Sequence, residues 1–128
     1  MKIEHIAVAS TTKKQADRFF SGLLGLKETR MFSVSADLME KFFGQNKQQK
    51  IITYKNNTIS IEVFITEDSS YKKDLFTHTC LLVENRDKFV KKALSMNFPI
   101  IKVPRKDGSG YYLFIKDTFQ NLYEIKEL

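Results

Sequence analysis

Two histidines occur in the 128-residue chain, and each opens a strand-like run: His5 in EHIAVAS and His78 in FTHTCLLV. Each is followed by a glutamate inside a later strand-like run, Glu62 in TISIEVFI 57 residues on and Glu124 in NLYEIKE 46 residues on. Imidazole nitrogens and carboxylate oxygens are donors for a divalent cation. An N2O2 set with open positions suits Zn(II), Ni(II), Fe(II), Mn(II) or Co(II) rather than a copper-thiolate or closed structural zinc site. Singly, each residue has an ordinary reading: a strand-start histidine satisfied by one hydrogen bond, Glu62 paired with a lysine on the next strand, Glu124 an edge charge beside Lys126. Together they favour the metal, because a carboxylate in mid-strand on a covered face is costly to bury unless a positive charge compensates it.

Side-chain alternation decides whether the four share a direction. In strand 58–65, Ile59, Ile61, Val63 and Ile65 form an aliphatic face that belongs under a helix, and Glu62 points the other way with Ser60 and Phe64. In the last strand Tyr123 and Ile125 oppose Glu124. In the opening strand Ile6 and Val8 oppose His5, which shares its face with Ile3, Ala7 and Ala9. His78 shares its face with Phe76, Cys80 and Leu82, opposite Thr79, Leu81 and Val83. The two histidines and two glutamates are therefore expected on sheet faces turned away from the helices.

The elements that must hold them follow from periodicity. Ala16, Phe19, Phe20, Leu23 and Leu24 make an amphipathic helical stripe, with Thr12 and Gln15 as a capping box and Gly25 as its left-handed stop. A shorter helix spans 35–44, from Ser35 to Gly44. Strands 49–55 and 58–65 flank Asn56–Asn57, which suits the positive-φ positions of a hairpin. The second half runs strand 77–83, a helix from Arg86 to Met96, a strand in FPIIKVPRK bounded by Pro99 and Pro104, a DGSG turn, and two closing strands. Each half is strand, helix, strands, and the 11-residue difference in His–Glu spacing is about the length of the extra helix at 35–44. The halves are predicted to be modules 1–70 and 75–128 of one α+β domain.

Composition limits the alternatives. The chain has no apolar run long enough to span a membrane and no secretory signal in its first 20 residues, so a cytoplasmic protein is expected. The single Cys80 excludes an internal disulfide and a thiolate-rich zinc site, and reads as a small buried packing residue. A net charge of +6 permits an anionic partner. Its basic residues, however, fall in scattered pairs such as Lys13/Lys14, Lys72/Lys73 and Lys91/Lys92, with no nucleic-acid-reading motif, so no nucleic-acid partner is expected.

The segments HIAVAS, ADRFFSGLLGLKETR and FIKDTFQNLYEIKE resemble the opening strand and helix, the Leu-Gly-Leu turn and the closing segment of the vicinal oxygen chelate superfamily. That group includes glyoxalase I, methylmalonyl-CoA epimerase, extradiol dioxygenases, and the fosfomycin- and bleomycin-resistance proteins. The resemblance implies paired βαβββ modules forming incomplete barrels around a metal cleft, commonly as a homodimer, with His5, Glu62, His78 and Glu124 at the glyoxalase I ligand positions. Ala9 and Thr66 stand where glyoxalase I has Arg and Asn for glutathione, so glutathione is not the expected substrate. DTFQN replaces the family's Asp-Pro-x-Gly-Asn turn.

The resulting expectation is a metal-dependent lyase, isomerase or epimerase. It would chelate adjacent oxygens of a small carbonyl or hydroxy-acid substrate and stabilise an enediolate, with Glu62 or Glu124 as the base. Lys102, Arg105, Lys106, Tyr111 and Tyr112 are candidates to hold an anionic tail of the substrate. The rivals are an Fe(II) dioxygenase using His5, His78 and Glu124, and a metal-free ligand-sequestering protein.

Overall fold

The computed structural model describes residues 4–68 and 77–128. The chain divides into two compact units, Met1–Tyr71 and Lys72–Leu128. The module boundary expected between 70 and 75, the Lys72/Lys73 pair, Ile3 and Phe76 lie outside the described residues.

The first unit opens with β1 (Ile6–Ser10) and α1 (Lys13–Ala16), which runs on as a wide-turned helical segment, Asp17–Leu23. The Thr12 hydroxyl accepts from the Gln15 amide at 3.2 Å, which caps the helix as predicted. In the wide segment the Leu24 amide reaches back five residues to the Phe19 carbonyl, at 3.0 Å. A wider turn lessens the angle between neighbouring side chains, so the adjacent Phe19 and Phe20 both face the sheet and both are fully buried. Each buried phenylalanine contributes about 1.5–3 kcal/mol. Phe20 stacks on Tyr54 at 5.3 Å. Gly25 closes the helix with φ 71°.

Then follow β2 (Lys27–Val34), α2 (Ala36–Phe43), β3 (Gln49–Lys55) and β4 (Ser60–Ile65), giving sheet order β1-β4-β3-β2 with β1 parallel to β4. Sequence periodicity does not reveal β2. Among the described residues it pairs only with β3, it is mostly exposed, and a bulge between Glu28 and Arg30 breaks its alternation, which survives only over Met31–Val34. Asn56 and Asn57 do not adopt the positive φ expected of them. The loop instead spans four residues, with Lys55 paired to Ser60, and the Asn56 carboxamide accepts from the Thr58 and Ile59 amides at 2.9 Å. Tyr54, fully buried, donates to Asp17 at 2.7 Å, and Lys13 bridges Asp17 and Glu28, each at 2.7 Å, tying helix to sheet. Burial pushes the Asp17 carboxyl up, but the hydrogen bonds from Lys13 and Tyr54 outweigh it and hold the group below its ordinary value.

The second unit repeats the plan with β5 (His78–Val83), α3 (Arg86–Ser95), β6 (Ile100–Pro104), β7 (Tyr111–Lys116) and β8 (Leu122–Glu127), in order β5-β8-β7-β6 with β5 parallel to β8. Asn85 caps α3 by accepting from the Lys88 amide at 2.8 Å. Pro104 ends β6, which lies at a sheet edge where a missing N–H costs nothing. The fold is thus α+β, two mixed four-stranded sheets from two strand-helix-strand repeats. No helix among the described residues is long and apolar enough to cross a membrane.

Candidate metal centre

In the first unit the helix from Lys13 to Leu23, and in the second α3, cover one sheet face, and the histidine and glutamate stand on the other. Ile61 and Val63 are buried while Glu62 is partly exposed; Tyr123 and Ile125 are buried while Glu124 is partly exposed. The repeat holds to the residue. Glu62 lies opposite Ala7 on the neighbouring parallel strand, two residues beyond His5. Glu124 lies opposite Cys80, two residues beyond His78. Side chains two apart on a strand share a face, so each imidazole leans toward its glutamate.

His5 Nε2 lies 3.5 Å from Glu62 Oε2, and His78 Nε2 lies 3.9 Å from Glu124 Oε2. Both separations exceed a good hydrogen bond. Two donors each about 2.1 Å from one ion stand roughly 3.0 Å apart at a right angle and roughly 3.4 Å apart at the tetrahedral angle. The first pair has that separation already, and the second reaches it with a small side-chain rotation. Neutral imidazole with carboxylate is also the donor chemistry that divalent cations take, so the residues fit the metal that the sequence implies. Within each unit the described residues bring no third His, Cys, Asp or Glu into such a group.

The surroundings of the pairs differ. Around Glu62, β3 contributes Thr53, and Phe64 meets Phe43 of α2 edge-on at 5.6 Å. Around Glu124, β7 contributes Phe114, whose ring meets His78 at 5.7 Å. Lys126 Nζ lies 3.5 Å from Glu124 Oε1. Cys80 is exposed, not the buried packing residue expected. Thr79, Leu81 and Val83 take the helix side of β5, which leaves Cys80 beside His78 on the open side. Partial desolvation, then the charge of Glu124, pushes its thiol up.

The candidate anion-holding residues separate by face. Lys102 pairs in register with buried Leu113, and Tyr111 lies on that same helix-covered side, opposite the Glu124 side. There the Tyr111 ring takes the Lys102 ammonium at 3.9 Å and the Arg86 guanidinium at 4.1 Å. Tyr112 faces the Glu124 side, and Arg105 lies over its ring at 4.4 Å. Lys106 is exposed in the β6–β7 loop. Thr66 is buried, with its hydroxyl accepting from the Asp68 amide.

One residue that positions the site gave no chemical signal in the sequence. Asp117, only 2% exposed, accepts at one oxygen from the Phe119 and Asn121 amides, both at 2.9 Å. Its other oxygen accepts from Asn121 Nδ2 at 2.7 Å and from the Tyr123 hydroxyl at 3.4 Å. These bonds fold the DTFQN loop and set where β8, and hence Glu124, begins. Burial pushes the Asp117 carboxyl up to about 6, against the pull of those donors.

The chain is thus a small α+β protein of two strand-helix-strand modules, each presenting an imidazole and a carboxylate from parallel neighbouring strands. The chain belongs to the Glyoxalase/Bleomycin resistance protein/Dioxygenase superfamily, whose profile matches residues 2–125. It is similar to the glyoxalase family protein from Enterococcus faecalis, at 18% identity over 97% of this chain and 95% of that one, TM-score 0.72. It is also similar to the fosfomycin resistance protein FosX from Listeria monocytogenes, at 14% identity over 100% and 93%, TM-score 0.72. A mutant of that FosX, complexed with Mn(II) and 1S,2S-dihydroxypropylphosphonic acid, matches at 12% identity over 97% and 87%, TM-score 0.71. No functionally curated protein matches the sequence.

Proposed function

We propose that the protein is a glyoxalase-like, metal-dependent enzyme acting on a small substrate with two adjacent oxygens, as a lyase, isomerase or epimerase. The observation that carries this reading is the pair of His–Glu separations, 3.5 and 3.9 Å, at identical register in the two repeats. His5 and Glu62 would supply half of the donors and His78 and Glu124 the other half, within one chain or across a homodimer. The FosX mutant with Mn(II) and a dihydroxy phosphonate supports the chemistry, as a protein of the same fold that takes a divalent metal and an anionic diol.

When bound, the cation supplies Lewis-acid stabilisation of negative charge developing on the substrate oxygens. The chain's own contribution is the proton transfer. Glu62 and Glu124 lie on the open sheet faces, and either carboxylate takes a proton from the substrate carbon once its second oxygen is free. Arg105, over the Tyr112 ring on the Glu124 side, would hold an anionic arm. Lys102 and Tyr111 lie on the opposite face, where the Tyr111 ring takes both the Lys102 ammonium and the Arg86 guanidinium.

The test is metal analysis of tag-free protein, followed by His5→Ala and His78→Ala. The expected result is one divalent ion per chain, with affinity reduced at least tenfold in each variant. Stoichiometric metal retained in both variants overturns the site. A second reading, a metal-free ligand-sequestering protein, is favoured by one observation: Lys126 already offers Glu124 a positive partner. Wild-type protein that takes up no divalent metal supports it.

A further inference from the structure

The two half-sites are matched in their donors but not in their neighbours. On β4 the residue two beyond Glu62, on the same face, is Phe64; on β8 the residue two beyond Glu124 is Lys126. The Lys126 ammonium faces Glu124 Oε1 at 3.5 Å while His78 faces Oε2 at 3.9 Å, so each oxygen of this carboxylate has its own partner. Among the described residues, the ion pairing of Glu62 is with His5 alone. The Glu124 side chain is also the less exposed of the two, 15% against 25%.

Resting on the metal reading above, we propose that Lys126 is a positioning residue that competes with the metal for Glu124. With no cation bound it holds the carboxylate on the open face, and it must swing away as the ion arrives. Two features of the geometry require this. An ammonium held at Oε1 stands within a few ångströms of an ion held between Oε2 and His78, and like charges that close repel. Lys126 is half exposed on a flexible stem, so it has solvent to swing into. The consequence is an affinity set below what the four donors alone would give, by a margin that is largest at low salt, where the lysine charge is least screened.

The experiment titrates wild type, Lys126→Met and Lys126→Arg with Mn(II) alone, counting free ion by electron paramagnetic resonance at low and high salt. A partly exposed ion pair sets the scale of the expected gain, about three- to fivefold tighter binding in Lys126→Met. That gain shrinks at high salt, and Lys126→Arg binds as wild type does. Lys126→Met binding no tighter than wild type overturns the proposal and leaves the metal reading standing. Equal tightening in both variants also overturns it, by assigning the effect to shape instead of charge. A wild type that binds no Mn(II) overturns the metal reading and this inference with it.

Discussion

Asp117 shows how a single buried group couples the site to pH. Its folded-state value is raised to about 6 by burial, above the unfolded value of 3.8. Between those values the folded protein holds the proton more tightly than the unfolded chain. The contribution to stability is therefore full below about pH 4 and lost as pH rises through about 6, at most about 3 kcal/mol at roughly 1.4 kcal/mol per unit. Asn at this position cannot titrate. In urea unfolding at pH 4 and pH 7, wild type is expected to lose stability relative to Asp117→Asn as the pH rises; a constant difference between the two would refute the account. Next to it, Gln120 is held at φ 69°, in the left-handed region, where the related turn has glycine. Gln120→Gly is expected to stabilise the protein by up to about 1 kcal/mol, measured by chemical denaturation, because relief of the backbone strain exceeds the added chain entropy.

At the scale of elements, the helix-to-sheet brace in the first unit is the most consequential. Tyr54 is fully buried with its hydroxyl on Asp17 at 2.7 Å. Tyr54→Phe keeps the ring stacked on Phe20 and removes only that bond, so a loss of about 1–2 kcal/mol is expected. The matching change at the second unit's helix is Asn85→Ala. It removes the cap of α3 and is expected to cost about 1 kcal/mol, read as a lowered urea midpoint with unchanged slope. The helices themselves were legible in the sequence because caps and stripes are local: Thr12, Ser35, Gly25 and Gly44 all act as their types suggest. β2 was not legible, because a mostly exposed edge strand interrupted by a bulge keeps too short an alternation to read.

For the whole molecule, a cation that binds only the folded state stabilises it by mass action. Mn(II) at about one hundred times its dissociation constant is expected to add about 2.7 kcal/mol, seen as a raised unfolding midpoint that a chelator abolishes and that is cut to about half or less in His5→Ala. An unshifted midpoint in wild type at saturating metal would count against the centre. The repeat and the parity that sets two histidines and two glutamates opposite the buried aliphatic and aromatic faces of their strands were contained in the sequence, since a strand's period of two and the order of its neighbours are local properties. Register was not. That Ala7 and Cys80 lie opposite the two glutamates, and that Lys102 and Tyr111 face away from Glu124, follow from which strands pair and where. Pairing joins residues distant in the chain through backbone hydrogen bonds that carry no residue-specific signal, so tertiary structure alone decides them.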